Sequence, residues 1–146
     1  MEEFKEKENG VKELDVFKLA FQLANEIFNE SNNWPKAEIY ALTDQIRRSS
    51  RSVCANLAEG YRQKNHTKQF VYKLRICDGE CSETLTWLDV AKECRYINEV
   101  QHTALKHKCL RVGSMLGRMI ENPEKFLPSV SRKIKSELIK CYFFKH

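Results

Sequence analysis

An all-α fold, arranged as an antiparallel up-down-up-down four-helix bundle, is what this sequence of 146 residues predicts. Three observations carry that expectation. Turn formers are scarce, with Gly 5 and Pro 3, and Lys36 to Asn122 contains no proline, whereas strand-rich folds reverse direction often and spend more of both residues. Apolar residues recur at helical spacing in four segments joined by short polar links, the pattern of antiparallel neighbours. The composition, 42% apolar and 31% charged, suits amphipathic helices in water. A chain of this length fits one domain with its own core.

The first segment, "DVFKLAFQLANEIFNESNNWP", places Val16, Ala20, Leu23 and Ile27 on one stripe and Phe17, Phe21, Ala24 and Phe28 on a second beside it. That apolar face is wider than one helix contact needs. Asp15 is the expected N-cap, and Pro35 disfavours helix at Trp34. The second segment runs from about Ala37 to Gly60 or Tyr61, with Ile39, Leu42, Ile46, Val53 and Leu57 on its buried side. Gly60 stands where a helix end or a close backbone contact would want it. Asn65 or Thr67 is expected to cap the third helix, whose Phe70, Leu74, Cys77, Cys81, Leu85, Leu88 and Ala91 follow a near-heptad repeat to about Tyr96. Asn98 and Gln101 have the spacing of a capping box for the fourth helix. Leu105, Cys109, Val112, Leu116 and Met119 form its stripe, and Asn122-Pro123 ends it. Ile134, Leu138 and Ile139 allow a short extra C-terminal helix. The expected organisation is thus a polar, acidic segment 1–14, a bundle 15–126 and a basic tail 127–146.

The N-terminal "MEEFKEKENG" has no apolar core behind a basic start, and no stretch approaches the ~18 apolar residues of a membrane span. A cytoplasmic protein without membrane contact is expected. There, disulfides between the six cysteines are disfavoured. Cys77 and Cys81 lack a matching second pair, so they read as core positions, and neither a metal nor another cofactor is expected. Catalysis finds no support either. The four histidines form no nucleophile–base arrangement, no glycine loop cradles a phosphate, and no Glu-x-x-His pair suggests a di-iron bundle.

Charge is more informative. The net +5 is modest but segregated. Asp44 to Arg75 holds eight Lys/Arg against two acids, and residues 101–118 hold four with no acid. Residues 1–15 and 76–93 are net acidic. Segregated positive charge is what a polyanion site requires. In the Arg47/Arg48/Arg51 cluster, Arg47 and Arg51 lie one helical turn apart, a spacing that reaches neighbouring phosphates; the same residues would serve as a solvated face, or pair with Glu80, Glu83 or Asp89. Arg62 is a further basic candidate for nucleic-acid contact, and Lys64, His66 and Lys68, with Tyr61 nearby, suit either a clamp on single-stranded RNA or an ordinary polar link. Lys106, His107, Lys108 and Arg111 make a second basic stripe. Asn56 and Glu59, three apart beside Gly60, read as a polar network fixing helix register, with Arg47, Tyr61 or a neighbour as partner, or else as part of a ligand or subunit pocket.

Gln45-Ile46-Arg47-Arg48, then Asn56-Leu57-Ala58-Glu59-Gly60, then Lys68-Gln69-Phe70 and the Glu80–Glu83 stretch resemble the bacterial four-helix-bundle proteins encoded in intervening sequences of 23S ribosomal RNA genes. The accessory variability determinant of diversity-generating retroelements shares that superfamily. The resemblance covers roughly Leu14 to Phe126, with Cys54 where the family usually has proline. It implies a ring-like homopentamer with a positively charged surface. In the retroelement relatives that surface binds nucleic acid and holds a reverse transcriptase. The expected function is therefore a non-enzymatic scaffold for RNA or DNA. The alternative is an accessory subunit that docks a reverse transcriptase.

Overall fold

The computed structural model describes residues 10–126. Four long helices account for most of them: α1 Asp15–Ser31, α2 Leu42–Arg62, α3 Thr67–Glu93 and α4 Glu99–Glu121. Two 3₁₀ turns, Lys36–Glu38 and Pro123–Phe126, follow α1 and α4. Among the described residues there is no strand.

Each helix packs on its neighbour in sequence, and α1 also packs on α4, so α2 and α4 occupy one diagonal and α1 and α3 the other. Cross-helix contacts fix the directions as antiparallel. Arg47 near the start of α2 meets Ser31 at the end of α1. Arg48 meets Glu83 on α3, and further along α2 Glu59 meets Lys73 near the start of α3. Asp89 meets His102 between α3 and α4, and Glu30 meets Gln101 between α1 and α4.

The core is built from the predicted stripes. Ile46, Leu57, Phe70, Leu74, Leu88, Val112 and Leu116 are completely buried, each a gain of roughly 1.5–3 kcal/mol over exposure. The core reaches back to Val11, ahead of α1. On α1 the Val16–Ile27 stripe is buried, but Phe21 and Phe28 of the second stripe remain exposed. The Asn98 side chain accepts from Gln101 N–H while the Gln101 side chain accepts from Asn98 N–H, so the predicted capping box is present.

Several local expectations are corrected. Asp15 is not the cap of α1: Leu14 holds that position without a side-chain bond, and Asp15 lies in the first turn. Helix α2 does not begin at Ala37. The chain makes one 3₁₀ turn there, then breaks at Ala41 (φ −122°, ψ −111°) before α2 starts at Leu42. Ile39, expected inside, falls in this break and is 46% exposed. His66, rather than Asn65 or Thr67, precedes α3 as its cap residue, and makes no side-chain cap bond. Helix α3 stops at Glu93 rather than near Tyr96, because Arg95 takes a left-handed conformation (φ 60°). The proposed extra C-terminal helix lies outside the described residues.

Candidate nucleic-acid interface

The arginines of α2 fan out because successive residues rotate by about 100° around a helix of 3.6 residues per turn. Arg48 therefore points to α3. Its Nη2 donates to Glu83 Oε1 at 2.8 Å, and Glu80 stands 4.0 Å from Nη1. Arg47 points to the end of α1. Its Nε donates to Ser31 Oγ at 2.8 Å, its Nη2 to Asn32 Oδ1 at 2.9 Å, and its guanidinium lies 4.7 Å from the centre of the Phe28 ring. Arg51, one turn on, stacks over the same ring at 5.4 Å and is exposed. Among the described residues, every partner of Arg47 and Arg51 is neutral, whereas Arg48 is matched by carboxylates.

The other basic candidates divide the same way. Lys108 on α4 donates to both oxygens of Glu26 on α1, at 2.5 and 2.6 Å. Lys64 lies 4.0 Å from the centre of the Tyr61 ring. Arg62 is exposed at the end of α2. Lys68, Lys106 and Arg111 have no ion-pair partner among the described residues; Lys68 and Arg111 are exposed and Lys106 is half-buried. Because α2 and α4 are diagonal, their two basic stripes do not merge into one patch on a single chain.

Asn56, Glu59 and Gly60 converge on a residue the sequence did not single out, Lys73 of α3. Glu59 Oε2 accepts from its ammonium at 2.7 Å and Asn56 Oδ1 from the same group at 3.5 Å. That hydrogen bond to Glu59 raises the Lys73 pKa above its ordinary value, because it favours the charged form. Asn56 is in turn held by Ser52, its Nδ2 donating to the carbonyl and the hydroxyl, both at 2.9 Å. Gly60 sits inside α2, not at its end, and a Cβ there would stand 2.8 Å from Lys73 Cβ. The glycine thus lets α3 approach, and the two polar side chains grip the lysine that the approach brings near. Arg47 and Tyr61 are not partners in this network.

Cys77, Cys81 and Cys109 serve the interior. Cys77 and Cys81 of α3 are buried, with Cys77 Sγ donating to Val53 O at 3.5 Å and Cys81 Sγ lying 3.5 Å from Cys109 Sγ of α4. Burial pushes the thiol of Cys54 up to about 11 and that of Cys77 to about 12. Among the described residues no group of three or more His, Cys, Asp or Glu side chains could hold a metal ion. No helix among them is long and apolar enough to cross a membrane.

A family model described as 23S rRNA-intervening sequence protein matches residues 12–118. The chain belongs to that family. A solved structure supports the fold: a protein of unknown function from the S23 ribosomal protein family of Bacteroides thetaiotaomicron, at 24% identity and a TM-score of 0.64, over 72% of this chain and 97% of that one. A comparison with curated proteins finds no match.

The family membership agrees with the Gln45–Gly60 signature, yet that signature hides two things the structure adds. One is the partner side of each contact: Phe28, Ser31 and Asn32 for Arg47, and Lys73 for Glu59. The other is Tyr40, 94% exposed just ahead of α2. A tyrosine in a segment assigned to helix had no periodic signal to mark it. The Trp34-Pro35 break before it is the signal that would have.

Proposed function

We propose that this member of the 23S rRNA-intervening sequence protein family is a non-enzymatic, homo-oligomeric scaffold that binds nucleic acid, chiefly RNA, through the arginine edge between α1 and α2. One observation carries the reading. Arg47 and Arg51 are held over Phe28 by a hydroxyl, an amide oxygen and a ring rather than by carboxylates. Their positive charge is uncompensated and already positioned, so less side-chain freedom is lost when a phosphate arrives. The α4 stripe of Lys106 and Arg111 faces away on the other diagonal corner, where a ring of subunits could present it to a second stretch of the same ligand.

The test is light scattering for mass, followed by RNA titration of the same sample at low and high salt. A pentamer whose affinity falls steeply with salt is the expected result. Arg47→Gln with Arg51→Gln should flatten the slope by roughly 0.7 for each phosphate of a single strand that is no longer neutralised. An oligomer that ignores RNA at low salt would overturn the reading.

A second reading has its own support. Phe17 and Phe21, stacked at 5.9 Å, border a groove of about 350 Å³ floored by Ala24, Cys54, Ala55 and Ala58. An apolar groove between α1 and α2 suits a protein surface, whether another subunit or a reverse transcriptase. Arg51 also lines this groove, so the test is the uncharged Phe21→Ser: binding there would tolerate salt, and the substitution should weaken it while leaving the salt slope of RNA binding unchanged.

A further inference from the structure

The connection between α1 and α2 is fixed from within. Glu38 Oε2 accepts the Leu42 N–H at 3.2 Å, and its Oε1 accepts the Tyr96 hydroxyl at 2.9 Å. Trp34, 6% exposed, packs at 5.9 Å from the Tyr96 ring. Backbone bonds from Glu38 to Pro35, Ile39 to Lys36 and Ala41 to Glu38 close the turn. From this braced segment Tyr40 projects with 94% of its surface in water. The fold draws no packing from that ring, and a phenol so exposed forgoes the burial that aromatic residues normally contribute.

Its chain neighbour Ile39 lines an open hollow of about 530 Å³ together with Thr43, Asp44, Arg47, Arg48 and Arg51. Glu83 neutralises Arg48, but Arg47 and Arg51 keep their charge. An exposed ring thus stands one residue along the chain from a hollow that presents two guanidiniums without carboxylate partners, about 6 Å apart along the helix axis.

We infer that Tyr40 and the Ile39–Arg51 hollow form a subsite for an unpaired nucleotide, the base stacking on Tyr40 and the adjoining phosphates lying on Arg47 and Arg51. The inference rests on the nucleic-acid reading above and narrows it to single strands. Inside a duplex both faces of a base are covered by its neighbours, so a ring on a protein surface can stack only on a base that is out of the helix. The phosphates alone would give no such preference.

The test is fluorescence anisotropy with a labelled single-stranded oligouridylate and an RNA duplex of equal length, using the full chain. Tyr40→Ala should weaken single-strand binding about five- to hundred-fold, with the duplex affinity and the salt slope unchanged. Tyr40→Phe, which keeps the ring, should bind as the wild type does. Tyr40 is exposed, so neither variant should disturb folding, and light scattering on each checks the assembly. Single-strand affinity unchanged in Tyr40→Ala, or equal losses on both probes, would overturn the subsite and leave nucleic-acid binding standing. A loss of mass in Tyr40→Ala would overturn it too, by making Tyr40 a subunit contact. Wild-type protein that binds neither probe at low salt would instead remove the reading on which the subsite rests.

Discussion

Helix α2 meets α3 along one side and α1 along another, and the two seams treat its polar residues differently. The α2–α3 seam is closed. Ser49 and Thr84 share a buried hydroxyl contact at 2.8 Å, Gly60 admits the Lys73 backbone side, and Arg48 and Glu59 each meet an opposite charge. The α1–α2 seam is open. Its arginines rest on neutral groups, Phe28 stays 38% exposed and Phe21 54%. The lesson concerns what an arginine's partner leaves behind. A carboxylate consumes the charge, whereas a hydroxyl, an amide or a ring orients the side chain and leaves the charge for something else.

Breaking the closed seam should cost most. Phe70→Ala, at a completely buried site touching Gly60, should destabilise the fold by about 3–5 kcal/mol in urea denaturation. Phe28→Ala on the open side should cost about 1 kcal/mol, the worth of its cation contacts. Equal costs would erase the contrast between the seams. Gly60→Ala comes next. The ~1 kcal/mol of helix propensity gained is outweighed by overpacking of about 1–3 kcal/mol, since the atom it meets, Lys73 Cβ, cannot swing away. A net gain in stability would show that the helices can part there freely.

Smaller effects sharpen the comparison. Ser49→Ala should cost about 1 kcal/mol, and adding Thr84→Val should recover part of it, a coupling read from a double-mutant cycle. Arg48→Gln and Arg51→Gln should each change stability by under ~1 kcal/mol, but only Arg51→Gln should lower the salt slope of RNA binding. The smallest signal is chemical. Cys77 lies inside the closed seam and Cys54 lines the open groove. As pH rises into the alkaline range, Cys54, with its pKa near 11, should be alkylated before Cys77, near 12, while the exposed Cys94 reacts first of the three. Mass mapping after timed labelling checks the order.

The architecture was legible because it depends on spacing within each segment. The Val16–Ile27 and Leu105–Met119 stripes and the Asn98–Gln101 box are local patterns, and each is found where expected. The start of α2 was not legible, because Ala37 and Ile39 continue the helical period while the chain does not. What stops them is a pair of bonds from one carboxylate, and one of those reaches a tyrosine 58 residues away. The fates of Arg47, Arg48 and Arg51 were equally hidden. They depend on which neighbour each side chain meets, and Ser31 and Glu83 lie 16 and 35 residues from their arginines. Lys73 escaped notice as the partner of Glu59 for the same reason.

The Glu38 carboxylate ties the α1–α2 link to Tyr96 in the α3–α4 link. Two connections far apart in sequence are thereby sewn together at one end of the bundle. A chain nicked between Trp34 and Ala41 would keep its new ends stitched to the body by Glu38, Trp34 and Tyr96. The α2–α3 turn at the opposite end, 63–66, is joined to the body by its own backbone bonds, so it is the natural place to reopen the chain and rejoin it elsewhere. Connectivity and cohesion are separate properties in this bundle, and a single glutamate separates them.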